Sequence, residues 1–144
     1  SNVYSFKGDK DAKYRLKLKS FDKEEENEIF DINLPSLEEG EKFGFELSSN
    51  ELNIYEISEN KFVLNTKYDF KDQIFVNKEA KVWEWTEGGN IKENEPYPIF
   101  AAFLVDSNEF SFIGIENPEF RSQFKKNKDL SALVLEISLL NKEK

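Results

Sequence analysis

The stretch YRLKLKSF, residues 14–21, carries the alternation that decides the fold. Apolar residues alternate with basic ones: Tyr14, Leu16 and Leu18 are apolar, and Arg15, Lys17 and Lys19 are basic. Successive side chains of a β-strand point to opposite faces of a sheet, so this spacing predicts a strand with one buried and one solvated face.

The same two-residue period recurs along the chain. EIFDINL, residues 28–34, has Phe30, Ile32 and Leu34 on its apolar face, and Pro35 ends it. FGFEL and LNIYEIS are short strands separated by the polar SSNE, and the SEN segment predicts a tight hairpin to KFVLNTKYDF, residues 61–70. In that last strand the alternation places these residues on one face: Phe62, Leu64, Thr66, Tyr68 and Phe70.

YPIFAAFLVD, residues 97–106, is apolar on both faces, which predicts a central strand covered on both sides. The turn-like SNE follows, and we expect FSFIGIE, residues 110–116, to complete a hairpin with it. The final segment, residues 130–142, fits either a helix begun at Asp129 or a strand; its alternating leucines favour the strand.

One helix is predicted near residues 117–127. Asn117 is placed as its N-cap and Pro118 as its first helical residue. Phe120 and Phe124, four residues apart, form its buried stripe rather than a partner groove. The complete pattern predicts a single mainly β domain over 1–144: an antiparallel β-sandwich or a curved barrel-like sheet with one short helix.

Composition narrows the range of functions. The 144 residues are 34% charged and 15% aromatic, with a formal net charge of −9, which describes a folded domain with a well-solvated acidic surface. Nucleic-acid binding needs clustered cations, so we expect neither nucleic acid nor an anionic membrane as partner; a basic protein fits better. No apolar run approaches the roughly 20 residues of a membrane span, and the first ten residues lack the apolar core of a signal peptide. The compartment stays open.

Histidine and cysteine are both absent, which removes the Ser-His-Asp and Cys-His arrangements and the usual zinc, copper and haem ligands. No phosphate-binding glycine motif or EF-hand loop occurs. We therefore expect no cofactor, no metal and no catalytic residue; a carboxylate-based hydrolase is the remaining enzymatic alternative.

Acidic residues cluster in two segments, FDKEEENE (21–28) and LEEGE (37–41). The predicted protein-interaction residues are Asp22, Glu24, Glu25, Glu26, Glu28, Glu38, Glu39 and Glu41. Such a surface could engage a basic partner, as in an immunity or inhibitor protein or a secretion or phage component. The alternative is a solvated loop that maintains solubility, which is the commoner role of a charge run.

KVWEWTEGG, residues 81–89, contains the only two tryptophans. On a strand Trp83 and Trp85 share a face, and together with Tyr97 they could stack on a sugar ring. The alternative for the same rings is core packing, the commoner role of large aromatic side chains on one strand face. The predicted ligand-binding residues of a carbohydrate-binding module are therefore Trp83, Trp85 and Tyr97. The loop that follows, residues 87–98, turns at Gly88 and Gly89.

Overall fold

The computed structural model describes residues 3–8, 12–22, 26–48, 51–59, 61–69, 79–86, 88, 91–105, 111–127 and 129–142. Its strands are β1 Val3–Phe6, β2 Ala12–Phe21, β3 Glu26–Asn33, β4 Lys42–Ser48, β5 Glu51–Ser58, β6 Lys61–Asp69, β7 Glu79–Trp85, β8 Tyr97–Val105 and β9 Leu130–Lys142. The helix α1 spans Gln123–Lys126. The mainly β class with one short helix is confirmed.

The strands form two antiparallel sheets, ordered β1-β4-β5-β6 and β3-β2-β9-β8-β7. The chain divides into two compact units that contain one sheet each: Ser1–Ala12 with Pro35–Val76 and Lys142–Lys144, and Lys13–Leu34 with Asn77–Asn141.

In the five-stranded sheet, β2 follows its predicted pattern, with Tyr14, Leu16 and Leu18 buried. The last segment is the strand β9, as predicted, and it lies in the middle of the sheet. β8 lies between β9 and β7, and every residue from 99 to 104 is buried, which confirms a strand covered on both faces.

The predicted hairpin between residues 97–106 and 110–116 is wrong. Residues 111–114 form no strand, and β8 pairs with β7 and β9 instead. The backbone of Ile113 bonds the Gln123 side chain through both its N–H and its carbonyl, and Ile115 N–H donates to Glu84. Because these side chains satisfy the backbone, the segment needs no strand partner and packs across the sheet.

The helix is shorter than predicted. Asn117 does cap a turn, since its Oδ1 accepts the Glu119 N–H at 2.8 Å, but residues 118–122 continue as turns and only Gln123–Lys126 is α-helical. Gln123 also donates to the Phe120 carbonyl. Phe120 and Phe124 are buried as expected, and they pack on Phe21 with the other members of one cluster: Ala101, Phe103, Ile115, Leu130, Ala132 and Val134.

In the four-stranded sheet, β5 and β6 form the predicted hairpin, with Ser58 opposite Lys61. The predicted single face of β6 is wrong. Leu64 lies opposite Tyr55 while Thr66 lies opposite Ile54, so Asn65 is an extra, bulged residue. Neighbouring residues of β5 face opposite ways, and the bulge therefore moves Thr66 and Tyr68 to the face opposite Phe62 and Leu64; Phe70 lies outside the described residues.

Candidate functional site

The predicted acidic residues lie in two parts of the structure. Glu26 and Glu28 belong to the edge strand β3, with the exposed Asp22 before it. Glu38, Glu39 and Glu41 belong to the turn that precedes β4; Glu24 and Glu25 lie outside the described residues. We call residues 38–41 the acidic turn. The two groups differ in how their charge is compensated.

The carboxylates of β3 are already paired with cations of the same sheet. Glu28 lies 3.3 Å from Lys17 Nζ, and Glu26 lies 3.0 Å from both Lys19 Nζ and Arg121 Nη1. Antiparallel pairing of β2 with β3 produces this arrangement, because it places lysines of one strand beside acids of the next. Much of the negative charge predicted here is therefore balanced within the chain.

A buried carboxylate extends this network, and the sequence reasoning missed it. Glu136 of β9 is only 3% exposed. Its Oε1 accepts Arg121 Nη2 at 2.6 Å, and its Oε2 lies 3.1 Å from Lys19 Nζ in an ion pair whose angles fall short of a hydrogen bond. A single charge within the apolar run of residues 130–140 was the available signal. A buried charge needs such partners, so the network is structural.

These contacts shift the pKa values of charged groups on β2 and β3. The hydrogen bond and charge of Arg15 lower the pKa of Asp31 against a smaller effect of burial. Burial acts to raise the pKa of Glu26, but the hydrogen bonds and charges of Lys19 and Arg121 outweigh it, and the net pKa is lowered. Burial likewise acts to lower the pKa of Lys19, and the carboxylates of Glu26 and Glu136 raise it overall.

The acidic turn is closed on itself and open to solvent. Glu41 Oε1 accepts the Glu38 N–H at 2.8 Å, and Glu41 N–H donates to the Glu38 carbonyl at 3.1 Å. Gly40 adopts a φ of +84°, which glycine tolerates best, and the buried Leu37 anchors the turn. Glu38 and Glu39 are exposed, and within the described part of the chain no cation forms an ion pair with either.

The aromatic residues predicted as a sugar platform have mixed environments. Trp85 is half-buried, and its ring lies 5.0 Å from that of Phe100 at 52°. The half-buried Tyr97 has its hydroxyl 2.8 Å from Thr86 Oγ1. The side chain of Trp83 lies outside the described residues.

Two carboxylates near Trp85 are engaged with the protein itself. Thr86 Oγ1, in a buried residue, donates to Glu116 Oε1 at 2.6 Å, and Gly88 N–H donates to Thr86 Oγ1 at 3.3 Å. Glu84 Oε1 accepts the Ile115 N–H at 2.5 Å. These bonds fix the segment around residues 114–116 against β7, which is a structural use of both acids.

An open concavity of about 430 Å³ lies beside α1, lined by residues of 111–113 and 119–130. None of the predicted site residues lines it. Among the residues that the structure describes, no group of three or more acidic side chains could hold a metal ion, and no helix is long and apolar enough to span a bilayer.

Comparison with known proteins gives no relative to argue from. No protein-family model, no curated protein and no solved structure matches the chain.

Proposed function

We propose that the chain is a non-enzymatic protein-interaction domain that binds a basic partner protein through its acidic surface. The observation that supports this most is the contrast between its acids: those of β3 are neutralised by lysine and arginine, whereas Glu38 and Glu39 are exposed without a described cation. An immunity or inhibitor protein and a secretion or phage component are two forms that such a domain takes.

Charge supports a partner of opposite sign. The formal net charge of −9 attracts a basic surface over roughly 10 Å at 0.1 M salt. Two hydrogen bonds close the backbone of the acidic turn beside the exposed carboxylates of Glu38 and Glu39, and such local order reduces the entropy lost on binding. The absence of histidine and cysteine, and the structural use of Glu84 and Glu116, favour binding over catalysis.

The test compares two double variants of equal charge change, Glu38→Lys with Glu39→Lys and Glu95→Lys with Asp129→Lys. All four residues are exposed. Binding of a deca-lysine peptide and of proteins captured from extract is measured at low salt and high salt. We expect the acidic-turn variant to bind about tenfold more weakly, since each exposed ion pair contributes up to about 1 kcal/mol.

The control variant should lose much less affinity, because the charges that it reverses are not part of the acidic turn. Equal losses in both variants would mean that net charge alone attracts the partner. Binding that is insensitive to salt would overturn the electrostatic proposal altogether.

A carbohydrate-binding module built on Trp83, Trp85 and Tyr97 is the alternative, favoured by the incomplete burial of Trp85. In a module of this kind, Trp85→Ala abolishes binding on a glycan array and leaves the unfolding free energy nearly unchanged. If Trp85 instead packs in the core, the same change costs about 3–5 kcal/mol and no glycan binds. Acrylamide quenching of the two tryptophans gives an independent measure of their exposure.

A further inference from the structure

The edge strand β6 carries an apolar segment in contact with solvent. Phe62, Val63 and Leu64 are 51%, 49% and 51% exposed, and they are consecutive, so both faces of the strand are open there. Only β5 pairs with β6 among the described strands. An edge strand presents unpaired N–H and C=O groups, and an apolar one is a template for another strand.

The bulge at Asn65 limits this template to the first half of β6. Bulges disrupt the pairing of an edge strand, but Lys61–Leu64 remains regular, with each residue matched to one of β5. Phe62 and Leu64 lie on the face that carries Tyr55, whose ring centre is 6.0 Å from that of Phe62. The exposed segment is therefore a short, regular stretch of edge strand with apolar side chains.

We propose that β6 pairs with β6 of a second copy of this chain, antiparallel about a two-fold axis at Val63. This surface is separate from the acidic turn, and the inference does not depend on the proposed function. In an isologous pair each residue meets its mirror position, so the register is fixed by the residue on the axis. With Val63 opposite itself, Phe62 lies opposite Leu64 of the second copy, and the regular ladder ends where Lys61 reaches the bulged Asn65.

This register is self-complementary. The two Phe62–Leu64 pairs bury the exposed apolar side chains on one face, and the Val63 pair buries those on the other. No like charges face each other within the ladder, because Lys61 of one copy lies beside the uncharged Asn65 of the other and not beside Lys61. A second copy therefore covers the apolar side chains of the segment without placing like charges opposite each other.

The first experiment measures mass by analytical ultracentrifugation from micromolar to about 1 mM protein. We expect the wild-type chain to dimerise in this range. Val63→Lys and Val63→Glu should each be monomeric, because like charges then face each other across the axis. An equimolar mixture of the two variants should restore the dimer, since lysine then faces glutamate.

Restoration by mixing is specific to a residue on the two-fold axis, and misfolding of a variant cannot produce it. Circular dichroism confirms that each variant keeps its strands. A wild-type chain that stays monomeric up to about 1 mM overturns the proposal, because its dissociation constant would then exceed that concentration. A dimer unaffected by either Val63 variant overturns it as well.

Cysteine cross-linking tests the register, and the native chain contains no cysteine to interfere. Val63→Cys should form a covalent dimer on mild oxidation, because residues directly opposite in an antiparallel pair lie within disulfide reach. Asn65→Cys is the matched control: in this register the two sulfurs stand about four residues apart, roughly 13 Å, and should not join. Faster cross-linking of the Asn65 variant contradicts the proposed axis.

Discussion

The edge strands β3 and β6 differ in the side chains that they present to another strand: paired charges on β3 and exposed apolar residues on β6. β3 carries Glu26, Glu28 and Asp31, and each is paired with a cation of β2; Glu26 is also paired with Arg121. β6 has Lys67 paired with Glu51 near one end, but it exposes three consecutive apolar residues at the other. Both strands contain a bulge, at Ile29 and at Asn65.

The difference lies in what an approaching strand would meet. At β3 it would have to displace or desolvate charges that already have partners, which costs free energy. At the first half of β6 it would cover apolar surface and pair open backbone groups, both of which are favourable. A bulge alone therefore does not decide whether an edge strand can accept another strand, because both strands have one. The paired charges beside the bulge of β3 make the difference.

The largest effect is expected where β6 is compared with its neighbour β5. Ile54 is fully buried, and Ile54→Ala should lower the unfolding free energy by about 2–5 kcal/mol. Leu64→Ala on β6 should lower it by less than about 1 kcal/mol, because half of that side chain is exposed already. Chemical denaturation in dilute solution measures both without a contribution from association.

A similar loss in the two variants would show that Leu64 packs as a core residue, and the comparison of the edges would fail. The concentration dependence is an internal control. If β6 self-associates, the midpoint of wild type rises with protein concentration while that of Val63→Lys does not.

A smaller effect separates the ion pairs of the two sheets. Lys19→Met leaves Oε2 of the buried Glu136 without a counter-charge, and a buried polar atom left unsatisfied costs about 1–3 kcal/mol. The matched variant Lys67→Met breaks the pair with Glu51, whose partners are 53% and 31% exposed, and should cost well under 1 kcal/mol.

Thermal unfolding at neutral pH ranks the two lysine variants. Equal destabilisation would contradict the assignment of Lys19 as the counter-charge of a buried acid. A more stable Lys19→Met would indicate that the desolvation of this ion pair outweighs its attraction.

The alternation of apolar and polar residues was sufficient to predict β2, β9 and the β5–β6 hairpin, because one buried face leaves a two-residue period. It misplaced Phe62 and Leu64, since an unbroken period cannot reveal that Asn65 is inserted as a bulge. Counted back from Thr66, the two-residue period places Phe62 and Leu64 on the same face as Thr66. The bulge at Asn65 places them on the opposite face. The consequence is large, because the open edge depends on those two residues.

Residues 110–116 were misassigned for a different reason. Their alternation resembles a strand, but Gln123 and Glu84, distant in sequence, bond the backbone of Ile113 and Ile115. The sequence predicts the same interaction role for both acidic segments, whereas cross-strand cations pair the acids of β3. Partners of this kind depend on which strands become neighbours, and local sequence carries no record of that order.

The smallest effect concerns the acid sensitivity of the β3 edge. Arg15 lowers the pKa of Asp31 below its ordinary value of 3.8, and Lys19 with Arg121 lowers that of Glu26 below 4.5 against the effect of burial. A carboxyl whose pKa is lower in the folded state binds protons more readily when unfolded. Its stabilisation is therefore fully present above the ordinary pKa and is lost as the pH falls through the folded value.

Melting temperatures from pH 7 to pH 2.5 test this expectation. The wild type should lose stability mainly below about pH 4.5, and Asp31→Asn combined with Glu26→Gln should flatten that part of the curve while lowering stability at pH 7. Glu38→Gln with Glu39→Gln is the matched control, since these exposed acids have no described cation and should leave the slope unchanged. If the control flattens the curve as much as the β3 variant does, the ion pairs of β3 are not what acid removes, and the charge that distinguishes it from β6 contributes no stability.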